Sequence, residues 1–359
     1  MHEDIIDTGS NENGSKNWKE ILKAYKVPIA IGAAMIIVAV GALSHYKNER
    51  VKEELVKAID EYKKSLVLIG GELNYDGIEC SGIFSTDCTL DNIKVSVMGQ
   101  EQLSIASLRL GDVTELRTLK GLSKGEKVKA SIDIDAQRVI LPKPLMAQMI
   151  AHNVSNAFQE NTLAKLNAFD LAFQAEVEGS SSLMDHFEIG RLRIDNDVMP
   201  IEFSMKADKI AANDPDSMIL QHFSLSLENK AVSDVTFESV KSFLSTLPLE
   251  DQEVFLKEFS LTPNDMEDKP KASKAINAAI AKRFEGDLAT TPGLVEKELT
   301  RAVIKVLRGD AREITLRGEN QNNLSLLDIQ NALAQTINMD DEAAQTYMKD
   351  KFDIAVTTD

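Results

Sequence analysis

The sequence predicts an α+β protein: an N-terminal transmembrane helix and stalk, then antiparallel β-rich lobes with packed helices, and a helical C-terminal half. Three observations predict it. Residues 27–44, VPIAIGAAMIIVAVGALS, carry no charge. In several segments between residues 93 and 227, such as 93–97, 128–134, 169–177 and 201–207, apolar side chains recur at every second position, the period of a half-buried strand. Beyond residue 236 the apolar spacing becomes helical, punctuated by Pro248, Pro263, Pro270 and Pro292.

The elements follow in order. Residues 1–15 are polar and rich in Gly and Asn, which predicts a disordered tail. A helix is expected from Asn17 onward, within a unit covering 16–69. Extended to Tyr46, its apolar run has 20 residues, about 30 Å of helix and the thickness of a bilayer's hydrocarbon. Trp18 and Tyr25 before it and Tyr46 at its end fit the aromatic belt of a spanning helix. A cleaved signal peptide has a shorter apolar stretch, so the sequence predicts an uncleaved anchor over 27–46. Val51, Leu55, Ile59, Tyr62 and Leu66 then continue at helical spacing as a stalk ending near Gly70-Gly71.

A β-rich unit is expected over 70–235. Ile93, Val95 and Val97 alternate with polar residues, as do Leu108 and Leu110, and Val128, Ala130, Ile132 and Ile134. Pro142 and Pro144 open a central helix with Leu145, Met149, Ile150, Val154 and Phe158 on one side. A second strand set follows: Phe169 to Val177, Ile201 to Ala207, and Phe223 to Leu227. Over 236–359 helices are predicted at 236–247, 249–258, 270–284, 292–308, 325–338 and 340–350, with one strand at Glu313–Gly318.

Composition narrows the function. The net charge is −17, from 57 acidic against 40 basic residues. Such a surface repels phosphate backbones, so nucleic acid is not an expected partner. Cys80 and Cys88 flank turn formers (Gly82, Ser85, Asp87), so two short strands folding back would bring the thiols together as a disulfide. The competing reading is two unrelated buried thiols. Lys and Arg are balanced on the two sides of the apolar run, so charge leaves it unoriented. A disulfide orients it, because such bridges persist in oxidising compartments. The expected placement is a single-pass protein of a bacterial inner membrane, its N-terminus cytoplasmic and its ectodomain periplasmic.

No catalytic signature is present. His2, His45, His152, His186 and His222 have no Cys, Ser or Asp at a recognised spacing. Asp195-Asn196-Asp197 lacks the Gly and distal Glu of a calcium loop and reads as a turn. Asp133 and Asp135 share one strand side, read as a solvated face. No enzyme activity, metal or cofactor is expected.

The strands DNIKVSV and LSIASLRLGDV behind an N-terminal membrane helix, with the closing EITLRGENQNNLSLLDIQNAL, give the chain a pattern that resembles bacterial envelope proteins of the AsmA-like group. The resemblance covers about 70–330 and carries no diagnostic residue. It implies an elongated sheet that cradles lipid. The expected function is therefore a membrane-anchored envelope protein whose ectodomain binds a lipid or another hydrophobic ligand. The groove residues would be Leu145, Met149 and Ile150 of the central helix with Phe169, Phe173 and Phe203 of the strands, unless these fill a closed core. The alternative is a structural or assembly factor that docks an envelope protein complex through its helical second half.

Overall fold

A computed structural model of the chain describes residues 48–82, 86–113, 117–142, 167–291, 293–337 and 339–359. Helix α1 (Asn48–Val67) enters a series of short and long strands. These are β1 (Gly71–Asn74), β2 (Gly77–Ser81), β3 (Asp87–Val97), β4 (Gln100–Gly111) and β5 (Val128–Ile140). Next come β6 (Ala168–Gly179), β7 (Leu183–Asp195), β8 (Ile201–Ala211) and β9 (Ile219–Glu228). Helices α2 (Val232–Leu244), α3 (Leu249–Lys257), α4 (Lys269–Asp287) and α5 (Leu294–Arg308) lead to β10 (Glu313–Glu319). Helices α6 (Leu326–Thr336) and α7 (Asp341–Lys349) lead to β11 (Asp353–Thr358).

All 11 strands among the described residues join one antiparallel sheet, ordered β1-β3-β4-β5-β6-β7-β8-β9-β10-β11 with β2 also on β3. Tight turns dictate most of this order. Gly99 (φ 75°) lets the chain reverse between β3 and β4, and Ser180 N–H donates to the Leu183 carbonyl at 2.8 Å to close β6 onto β7. Asn196 sets the β7–β8 turn, its Oδ1 accepting from the N–H groups of Val198 (2.9 Å) and Met199 (2.7 Å). The turn expected there is thus present.

Two expectations about the fold are corrected. The strand sets flanking the central segment do not form separate lobes. β5 and β6 pair directly, from Val128 opposite Gly179 to Ile140 opposite Ala168. Pairing of this length merges both sets into one sheet, whatever the chain between them does. The N-terminal membrane helix is also not supported. No helix among the described residues is long and apolar enough to cross a membrane, and 27–46 lies outside them, as does the central helix expected after Pro144. The supported fold class is α+β, one large antiparallel sheet with helices. The helices of the second half agree with their expected positions within a few residues. β11 was not anticipated.

Local chemistry explains the helix ends. Asp268 caps α4 by accepting from the Lys271 N–H, and Ser325 with Asp328 forms a capping box at α6. α5 ends on Gly309 in the left-handed region. Three cores result. Val51, Leu55, Ile59 and Leu66 of α1 cover β1–β5. Phe237, Leu244, Leu256 and Ile276 join α2, α3 and α4. Ile329, Ala332, Met348 and Phe352 bind α6 and α7 to the far end of the sheet.

Cys80 and Cys88 are bridged (Sγ–Sγ 2.08 Å) and stand directly opposite in the β2–β3 ladder. Removing the bridge with Cys80→Ser and Cys88→Ser frees a short loop in the unfolded chain and lowers stability by about 2–3 kcal/mol. Urea unfolding with and without reductant measures it; equal midpoints refute the contribution. Gly318 makes a second prediction. Phe223, its partner across the ladder, stacks on Phe352 with centroids 6.1 Å apart. A Cβ at Gly318 would enter the space of both rings. Gly318→Ala therefore costs about 1–3 kcal/mol as overpacking, read as a lower denaturation midpoint for this single methyl.

Candidate functional site

The strand register lines up apolar side chains across the molecule. Cys88, Leu110, Ile134, Phe173, Leu192, Phe203, Leu225, Leu316 and Val356 are successive cross-strand partners, one from each strand between β3 and β11. A parallel row runs through Leu90, Leu108, Ala136, Leu171, Ile194, Ile201, Leu227 and Ile314. Side chains of cross-strand partners share a face, so one face of the sheet is apolar from end to end. Irregularities in the ladder preserve it. Arg138 has φ 49° at the register shift after Ala136, and the extra residue returns Val139 to the face of Ala136.

Cover over this face is uneven. Cys88, Leu110 and Ile134 are buried beneath the α1 end. From β6 onward the row is only half-buried: Phe173, Leu192, Phe203, Leu225 and Leu316 all retain exposure. At the far end a cavity of about 410 Å³ opens between the face and helices α5 and α6. Leu220, Phe223 and Leu316 form its floor, and Leu294, Leu333 and Ile337 its walls.

The three aromatic residues expected to line a groove lie on this face. Phe173 and Phe203 belong to the same row, separated only by Leu192. Phe169 lies on the same strand side as Phe173, opposite Val139. Leu145, Met149 and Ile150 lie outside the described residues. Sequence reasoning places Leu225 on an alternating strand but leaves it and Leu192 out of the groove residues, and it misses the cavity beneath α5 and α6, which no local pattern signals.

The opposite face is charged. Arg109 donates from Nη2 to Asp133 (2.7 Å) and Asp135 (2.5 Å) and from Nη1 to Asp87 (3.1 Å). Asp133 and Asp135 thus share a strand side as expected, joined by a guanidinium whose pKa rises chiefly through its bond to Asp135. Arg193 reaches Asp195 at 2.9 Å and Glu202 at 3.1 Å. His186 pairs with Asp208 (2.9 Å) and His222 with Glu319 (2.7 Å), each directly across a ladder. Apart from Arg193–Asp195, which lies within β7, these are pairs between neighbouring strands. Among the described residues no group of three or more His, Cys, Asp or Glu side chains is placed to hold a metal ion.

No protein-family model matches this chain, and no curated protein sequence matches it. The geometry alone carries the functional argument. What it can do chemically is hold hydrocarbon: a long apolar face, uncharged, half-open in the middle and leading into a cavity at one end.

The polar face yields a pH prediction. Lys230 (2.7 Å) and, next, Arg193 hold the Asp195 carboxylate below the usual range. A carboxylate depressed on folding stabilises the native state above its unfolded value of about 4, and that stability is lost as pH falls through the folded value. Carboxyl-carbon NMR of the wild-type protein and Lys230→Met reads it directly. The Asp195 midpoint moves upward in the variant; an unmoved midpoint rejects the assignment.

Proposed function

We propose that the half-open apolar face of β6–β9 binds a lipid acyl chain, with one end of the hydrocarbon in the cavity under α5 and α6. The observation that supports this is the row Phe173, Leu192, Phe203, Leu225 and Leu316, which continues without a polar side chain from the sheet centre to the cavity floor. The row crosses five neighbouring strands, β6 to β10, which at ~4.8 Å between strands spans about 19 Å. The cavity has the size of small-molecule sites. Protein interfaces concentrate binding in Trp, Tyr and Arg; this row is aliphatic and Phe, with nothing to accept or donate a hydrogen bond. A hydrocarbon chain makes no such demand.

The Cys80–Cys88 bridge supports an oxidising compartment as the site of action. A bacterial envelope meets that condition, and cradling a lipid there is the role that the AsmA-like pattern implies. The acidic surface favours a zwitterionic or uncharged headgroup, because the net charge of −17 repels an anionic one.

Lipid extracted from the purified protein and identified by mass spectrometry is the first test. The second uses a parinaroyl-labelled phosphatidylcholine as a fluorescent probe, displaced by monopalmitoylglycerol. Phe173→Asp and Phe203→Asp each place a carboxylate in the row and weaken probe binding at least about tenfold, a loss of ~1.4 kcal/mol. Leu333→Trp fills the cavity and shortens the longest chain retained. Probe binding that is absent, or equal in all variants, rejects the reading.

A further inference from the structure

Strand β11 closes the sheet on one side, and its outer edge is unpaired among the described residues. The ladder shows which backbone groups are free. Glu313 and Asp359 exchange N–H···O bonds in both directions at 3.3 Å. Hydrogen-bonded pairs alternate in an antiparallel ladder, so Thr357, Ala355 and Asp353 also point their amides toward β10. Ile354, Val356 and Thr358 therefore turn their N–H and C=O groups outward. Proteins commonly blunt such edges with proline, a bulge or an inward charge. β11 contains no proline and its pairing with β10 is regular.

The edge lies along a groove of about 390 Å³ between α5 and α7. Val295 and Glu298 flank it on one side and Gln345 and Lys349 on the other, above the buried Leu294 and Met348 and beside Ile354 and Val356. On the opposite face the two outermost strands carry Asp353, Asp359, Glu313 and Glu319 against Arg317 alone, with Ser226 and His222 bonded to two of these carboxylates. An added strand would therefore meet a mixed wall on one side, apolar at Val295, Ile354 and Val356 and polar at Glu298, Gln345 and Lys349, and a net negative surface on the other.

We propose that β11 accepts an extended segment of another protein by strand addition. The segment it fits alternates apolar residues, directed toward Val295, with polar ones, and bears Lys or Arg beside Asp353 and Asp359. A second copy of this chain fits worse. In the antiparallel register that uses all of β11 on itself, Val356 opposes Val356 and Asp353 opposes Asp359 at both ends. Like charges directly opposite are destabilising. Backbone hydrogen bonds supply the affinity of strand addition, and alternate side chains the specificity.

The test uses the full chain and a capped, fluorescein-labelled peptide, Lys-Val-Thr-Val-Thr-Val-Lys, read by fluorescence anisotropy. The peptide binds, and replacing both Lys by Glu weakens it about tenfold or more, equivalent to ~1.4 kcal/mol. Val356→Pro removes an outward N–H that β10 does not use, a position at which edge strands tolerate proline. This variant keeps its circular dichroism and melting temperature yet loses the peptide. A peptide that does not bind, or binds Val356→Pro equally, overturns the proposal. So does sedimentation showing a dimer that Val356→Pro dissolves, which would assign the edge to a second copy. Acyl-chain binding measured in the same samples separates a failure here from a failure of the lipid reading.

Discussion

The structure depends on one constraint: side chains alternate between the faces of a strand, and every strand from β3 to β11 must keep its apolar set on the same face. A slip of one residue anywhere exchanges the faces. The chain meets the constraint over long strands by absorbing extra residues at irregular points of the ladder, as at Arg138. Everything else is arranged around the resulting oily surface. α1 seals one end, and α5, α6 and α7 build over the other. The helices α2, α3 and α4 bury Phe237, Leu256 and Ile276 among themselves.

The reverse face obeys a different logic. It is polar, half-solvated, and organised by pairs between neighbouring strands. Arg109 gathers three aspartates that would otherwise repel one another, and Arg193 with Lys230 does the same for Asp195 and Glu202. At such exposure individual ion pairs contribute little. Their collective effect is to keep an acidic surface from opposing the alignment of β3–β8. The two faces thus divide the work, one supplying apolar burial and the other register-matched charge.

Much of this was legible in the sequence, and the reason is periodicity. The alternation in Phe169–Val177 and Ile201–Ala207 is clean, so those strands and the common face of Phe169, Phe173 and Phe203 follow directly. The helices of the second half announce themselves through Pro248, Pro263 and Pro270 and through caps such as Ser325 and Asp328. What could not be read was long-range. Nothing local says that Ile134 meets Phe173 across an interval of more than thirty residues, and so one sheet was mistaken for two lobes. β11 escaped because IAVTT is short and only half-buried, and its strand character comes from pairing with β10. The cavity beneath α5 and α6 has no local signal either, since it exists only where helices distant in sequence meet Phe223 and Leu316. The apolar run at 27–46 has a strong local pattern, but it lies outside the described residues.

The position of the disulfide has a wider consequence. Cys80 and Cys88 face each other across β2 and β3 in exact apposition. Were the hairpin to close one residue out of step, the two sulfurs would project from opposite sides and never meet. Oxidation therefore seals only the correct alignment, and the bond acts as a covalent proofreader at the margin from which the remaining strands are laid down.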